Sequence, residues 1–249
     1  MGEATTALVL SAGGMFGAYQ AGAWKALADK VQPDIIVGAS VGALNGWAIA
    51  SRCPPDELID RWRTPATANI LRMFPEPGFR NGWFDPAPLQ ACTEQLVQEF
   101  TPQLPLGVVV VKVKMLRTVL LRYPNITAAH LQATCSIPYF LPAVNIGGAR
   151  YFDGGLLEKM PVWAAVEMGA TQIIAVDSLP RVGPKWLRYG TDVVRLFKPR
   201  RRTPQHVKVT IISPSEELGD AEAAVFWTYR NIERWIDLGH RDAAAVLPR

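Results

Sequence analysis

The chain has 249 residues, 49% of them hydrophobic and 19% charged, with a formal net charge of +4; it is too apolar and too weakly charged for disorder, and long enough to bury a core without staples. Its 20 glycines and 20 prolines follow no period, and its three cysteines (Cys53, Cys92, Cys135) show no CxxC spacing. Collagen-like, low-complexity, disulfide-framework and zinc-knuckle architectures are thereby excluded.

In chain order, Thr6 to Ser11 predicts a strand, Ala12 to Gly17 a glycine-rich turn, and Ala18 to about Lys30 a helix. Ile35 to Val37 predicts a second buried strand ended by Gly38, with a helix of small residues from Val41 to about Ser51. This order describes a parallel sheet with crossover helices. Pro54-Pro55-Asp56 caps a helix over Glu57–Arg63, residues 64–88 read mostly as loop, and Leu89 to Phe100 returns to helical period. Val108–Val111 and Thr118–Leu121 predict paired strands, Ala128–Cys135 and Pro161–Met168 short helices, Ile173–Asp177 and Val207–Ile212 strands, and Asp220–Val246 a long helix. No linker divides the chain, so residues 1–249 are expected to form a single domain, with a core at about 6–215 and a C-terminal helix at about 220–246. No basic stretch leading into an apolar run opens the sequence, and no apolar stretch reaches about 18 residues. Neither a signal peptide nor a membrane span is expected, and a reduced, cytoplasmic setting is the default.

Gly38-Ala39-Ser40-Val41-Gly42 is G-x-S-x-G between a predicted strand and a predicted helix. That context suits a nucleophile: the serine stands on a sharp turn at a helix N-terminus, and Gly38 and Gly42 let strand and helix approach. Gly13-Gly14-Met15-Phe16-Gly17, after the first strand, offers backbone amides at a helix start. Ala12 breaks the G-x-G-x-x-G pattern and no Gly-Lys-Ser/Thr follows, so the amides of Gly13 and Gly14 are read as an oxyanion hole and not a phosphate cradle. A serine needs a base. His130, His206 and His240 lack a convincing loop context, although His206 stays open. Asp153, in Tyr151-Phe152-Asp153-Gly154-Gly155-Leu156, is the other candidate: aromatics exclude water, Gly154 and Gly155 hold the carboxylate on a sharp turn, and such a carboxylate gains proton affinity.

With these pieces assembled, the sequence resembles the patatin-like phospholipase family, in particular its small bacterial members. The resemblance covers about residues 6–215. It runs through Leu8 to Gly22, Gly38 to Asn45, Ser136-Ile137-Pro138, Asp153 to Leu156, Pro161 and Gly169-Ala170. It implies a three-layer α/β/α fold with a mainly parallel central sheet and a Ser–Asp dyad in place of a triad. By position, Ser40 is then the nucleophile, Asp153 the base and the Gly13–Gly14 turn the oxyanion hole, with Gly17, Gly38, Gly42, Gly154 and Gly155 as motif support. The sequence departs from the family where Ala12 replaces the first glycine of the turn, Phe16 a basic residue and Lys159 an asparagine. These departures bear on recognition of an anionic head group more than on acyl hydrolysis.

Residues 181–208 hold nine basic residues, with Asp192 the only acidic one. Lys185 to Lys198 reads as an amphipathic basic helix. It suits an anionic lipid surface through residues 185–202, and equally a helix packed on the sheet with a solvated charged face. The stretch from Met73 to Phe79 with Trp83-Phe84 lines an acyl pocket, forms a lid or is ordinary packing. No recognised nucleic-acid module accompanies the charge, and no metal or organic cofactor is implied. The expectation is a serine acyl hydrolase acting on a lipid-like or other apolar ester. The rival is a catalytically silent regulatory or membrane-binding protein on the same fold, favoured by Ala12 and Phe16.

Overall fold

The computed structural model describes residues 4–64, 67, 70, 72–78, 82–179, 203–220 and 222–246, with 74–78 and 82 by backbone only. The apolar runs become strands of one mixed sheet: β1 (Thr6–Leu10), β2 (Ile35–Ala39), β5 (Leu106–Lys112), β9 (Gln172–Val176) and β10 (Lys208–Ile212), all parallel to their neighbours in the order β10-β9-β1-β2-β5. Antiparallel β6 (Arg117–Arg122) and β8 (Ala149–Asp153) both pair with β5, and β7 (Val144–Ile146) pairs with β8. A separate hairpin joins β3 (Arg72–Gly78) to β4 (Gly82–Asp85).

Strands buried on both faces carry continuous apolar sequence, and successive side chains point to opposite faces. Leu8, Leu10 and Ile36 pack on one side under α1 (Gly17–Leu27), α2 (Val41–Ala50), α3 (Pro55–Arg63) and the C-terminal α7 (Tyr229–Val246). Ala7, Val9, Ile35 and Val37 pack on the other, against α6 (Val162–Glu167). The three-layer α/β/α arrangement follows. Helices α4 (Pro86–Glu99) and α5 (Ala128–Thr134) flank the β5 end of the sheet.

Several sequence expectations change. Gly38 lies within β2 and does not end it. The 64–88 stretch read as loop contains the hairpin and the first turn of α4. Its β4 strand is anchored from outside, because the amides of Trp83 and Phe84 both donate to the Phe140 carbonyl at 3.0 Å. Strands β7 and β8, not expected, are joined by the Gly147–Gly148 turn, where both glycines have positive φ. The C-terminal helix begins at Tyr229 and not near Asp220, because residues 222–227 are held in turns by partners elsewhere: the Ala224 carbonyl accepts from Met15 at 2.9 Å, and Trp227 Nε1 donates to the Trp62 carbonyl at 3.0 Å. The basic segment 185–202 lies outside the described residues.

The helix α2 starts directly on the end of β1. A Cβ on Gly42 would lie inside contact range of the Leu10 and Ser11 carbonyl oxygens, and one on Gly38 would meet the Gly42 carbonyl. Backbone on both sides cannot yield cheaply. Gly42→Ala is expected to destabilise the fold by about 1–3 kcal/mol or more. An unchanged urea midpoint would contradict the close approach.

Candidate active site

β2 must become α2 within one residue, and Ser40 is that residue. It takes φ 54° and ψ −134°, a left-handed backbone that costs a non-glycine residue about 1–3 kcal/mol. Its amide does not enter the helix ladder but donates to Thr134 Oγ1 at 2.9 Å, and Thr134 in turn donates to the Val109 carbonyl at 2.7 Å. The serine hydroxyl thus stands at the N-terminus of a ten-residue helix with its backbone braced from β5.

Asp153 arrives from the opposite direction. Ala39 pairs with Val109 on β5, and Asp153 pairs with the next residue, Val110. β8 runs antiparallel to β5, so its last residue meets the end of β2. The Asp153 amide donates to the Ser136 carbonyl at 3.0 Å, and its Oδ1 accepts from the Gly155 amide at 2.6 Å. Ser40 is 5% and Asp153 2% exposed, so the pair is shielded from bulk water. Burial pushes the Asp153 carboxyl up to about 7, against the opposing pull of hydrogen bonds from Ser40 and the Gly155 amide. β2 and β8 thus bring the carboxylate anticipated from the sequence beside the serine of the G-x-S-x-G motif.

The glycine turn adjoins both. A Cβ on Gly155 would collide with the Ala12 side chain, and Gly42 touches the Leu10 and Ser11 carbonyls. Gly14 has φ +55°, a conformation glycine adopts freely. A Cβ on Gly13 would strike the Ser178 hydroxyl. Among the described residues the amides of Gly13 and Gly14 have no hydrogen-bond acceptor, whereas those of Ala12 and Met15 are taken by the Lys159 and Ala224 carbonyls at 2.7 and 2.9 Å. Gly17 packs on Val41, the residue after the serine.

A buried polar network that the sequence did not disclose ties turn to elbow. Gln20 Nε2 donates to the Ser11 carbonyl at 2.7 Å and to Ser178 Oγ at 2.9 Å. Asn45 Nδ2, from α2, donates to Gln20 Oε1 and to the Gly17 carbonyl, both at 3.0 Å, while Asn45 Oδ1 accepts from Trp62 Nε1. Thr134 and Cys135 also went unremarked. Burial together with the nearby Asp153 pushes the Cys135 thiol well above the ordinary range. These contacts come from helices distant in sequence, so no local motif announces them.

The departures and histidines have structural explanations. Phe16 is fully buried and sits edge-on to Trp235 of α7 at 4.9 Å. Lys159 Nζ reaches Asp177 Oδ2 at 2.7 Å and the Leu179 carbonyl at 3.0 Å. His130 caps α5, where its Nδ1 accepts from the Thr127 amide at 3.1 Å; His206 and His240 are exposed. Among the described residues no three His, Cys, Asp or Glu side chains cluster as a metal site.

The sequence profile described as patatin-like phospholipase matches residues 8–166, more than half of the chain. The chain belongs to the patatin-like phospholipase family. Its fold resembles that of VipD from Legionella pneumophila, with a TM-score of 0.57 at 13% identity over 98% of this chain and 67% of VipD. The type III effector protein ExoU matches at a TM-score of 0.41 and 14% identity, and the chain spans about half of it, 52%. Family membership supports lipid hydrolysis as the class of activity.

The buried acid has a consequence for stability. A carboxyl raised from 3.8 to about 7 binds its proton more tightly folded than unfolded. Its burial is therefore tolerated below about pH 4 and stability is lost as pH rises through about 7. Asp153→Asn keeps the shape and the Gly155 hydrogen bond without the charge. Its melting temperature is expected above the parent's at pH 8, with the difference shrinking toward pH 5. A constant offset across that range would show that the carboxylate is not under this strain.

Proposed function

We propose that the chain is a serine acyl hydrolase that cleaves a lipid-like carboxylic ester through a Ser40–Asp153 dyad. The observation that carries this reading is the buried juxtaposition, set by the register of β5, of a strained elbow serine and a carboxyl whose proton affinity burial raises to near neutrality. An ordinary aspartate is a poor base at neutral pH; one held near 7 is matched to the task.

Ser40 Oγ attacks the ester carbonyl carbon while its proton passes to the Asp153 carboxylate. The tetrahedral oxyanion is met by the Gly13 and Gly14 amides, which have no other acceptor among the described residues. The ester C–O bond breaks, Asp153 returns the proton to the departing alkoxide, and the acyl group stays on Ser40. Water then gives a proton to Asp153 and attacks the acyl carbon. The acid leaves, and the proton goes back to Ser40. Gly17, Gly38, Gly42, Gly154 and Gly155 serve this reading by permitting the close approaches described above. We read the whole chain as one such domain. Its three free cysteines fit a reducing, cytoplasmic setting, and among the described residues no helix is long and apolar enough to cross a membrane.

Ser40→Ala is expected to abolish both ester hydrolysis and labelling by a fluorophosphonate; a mutant that keeps turnover removes Ser40 from the role, and a parent that never labels favours a silent protein on the same fold. Because the base acts ionised, kcat/KM is expected to rise with pH through a midpoint near 7. Asp153→Asn should lower kcat by at least ~100-fold. His130→Ala, His206→Ala and His240→Ala should each retain most activity. Collapse in one folded histidine variant, with Asp153→Asn active, would assign a triad instead.

A further inference from the structure

Three exposed aromatic side chains lie next in the chain to residues of a small apolar cluster. Phe84, Leu89 and Leu141 form a small apolar cluster of their own, separate from the two cores that flank the sheet, and Cys135, Phe140 and Val225 pack against it. Cys135 links this cluster to the nucleophile, because its chain neighbour Thr134 accepts a hydrogen bond from the Ser40 amide. Three of the segments that contribute to the cluster also carry an aromatic residue turned outward. Trp83 on β4 is 49% exposed, Tyr139 is 63% exposed and Phe226 is 43% exposed. The segments are joined to one another: the β4 amides donate to the Phe140 carbonyl, the Phe84 and Phe140 rings lie 5.9 Å apart, and Val225 completes the packing. The 222–226 segment also borders the glycine turn through the Ala224 carbonyl.

We propose that Trp83, Tyr139 and Phe226 form an apolar apron that docks the protein on a lipid–water interface and delivers the ester to the site. The proposal rests on the lipid-hydrolase reading. Exposed aromatics one residue from members of that cluster would give a substrate chain apolar contact at the protein surface. Tyr and Trp carry an apolar ring with a polar tip, the chemistry that settles at head-group level. Outward aromatics on three linked segments beside a site are unlike the singly scattered apolar residues of an ordinary surface. Apolar docking of this kind is independent of anionic lipid and survives salt, in contrast to attraction by a basic segment.

The test uses full-length Ser40→Ala protein, with and without Trp83→Ala, Tyr139→Ala and Phe226→Ala together, sedimented with neutral phosphatidylcholine vesicles at low and high salt. The expected result is binding that persists at high salt and weakens at least tenfold in the triple variant. With Ser40 restored, the triple variant should hydrolyse a water-soluble short-chain ester within twofold of the parent and lose activity on vesicle-presented ester. Undiminished vesicle binding by the triple variant overturns the apron, as does parent binding that vanishes with salt. A self-associated form in lipid-free sedimentation that the triple variant dissolves also overturns it, by assigning the surface to a second copy of the chain. Vesicle binding is read without turnover, so failure of the parent to hydrolyse any ester overturns the catalytic reading and leaves the docking result standing.

Discussion

The site depends on how one edge of β5 is divided. A strand has two hydrogen-bonding edges, and β6 takes one of them along Gly107–Lys112. On the other edge β2 occupies Leu106–Val109 and β8 occupies Val110–Lys112. The two strands run in opposite senses, so their ends meet at the boundary between Val109 and Val110. Ser40 follows the last residue of β2, and Asp153 is the last residue of β8. Their separation is thus set by the register of a central strand and not by loop conformation, the kind of rigid support a reacting pair needs. The Val109 carbonyl serves the same junction twice. It accepts from Thr134, which holds the Ser40 amide, and it is the oxygen a Cβ on Gly154 would strike.

Two unfavourable features are held at that junction, the backbone of Ser40 and the buried carboxyl of Asp153, and the surrounding structure overdetermines both. The sheet is buried on two faces, with Leu8, Leu10 and Ile36 on one side and Ala7, Val9, Ile35 and Val37 on the other. Gln20, Asn45, Ser11 and Ser178 add a buried network in which each side chain is hydrogen-bonded. A satisfied network of this kind fixes a single arrangement, whereas an unsatisfied one in the same place would destabilise it. The chain therefore maintains a strained, proton-binding pair by locking turn, elbow and neighbouring helix to one another. The proton affinity that burial gives Asp153 thus comes with a loss of stability when the group is ionised.

What the sequence discloses of this follows from how local each feature is. Ser40 is legible because a sharp turn between strand and helix demands glycines at 38 and 42, and Asp153 because a carboxylate between an aromatic pair and two glycines has few other uses. The parallel core was legible because doubly buried strands are continuous apolar runs. β8 was not: Ala-Arg-Tyr-Phe-Asp is short and half-buried, and its pairing partner lies about forty residues earlier. The β3–β4 hairpin was hidden by its prolines, and its β4 strand is anchored by a carbonyl from a distant segment. The start of α7 was misplaced because the 222–227 stretch has helical periodicity, yet its backbone and Trp227 are engaged by the glycine turn and by α3. Thr134, Cys135 and Gln20 act only through residues far away in the chain.

The three departures from the family pattern also become intelligible together. The Ala12 methyl lies against Gly155, and the Ala12 amide is taken by the Lys159 carbonyl, so positions 12, 155 and 159 form one packed unit. The Lys159 ammonium is directed to Asp177, which is 7% exposed, and to a backbone carbonyl. Phe16 turns into the core against Trp235 and draws α7 over the first helix, where a cation would have been driven toward water. The turn accordingly presents amides to the site and no charged side chain from position 16. Amides directed at a fixed point favour charge that develops there during reaction, whereas a cation favours charge the ligand already carries. On the proposed acyl-hydrolase reading, the turn suits the first of these tasks, because it offers two amides that are free among the described residues and no cation.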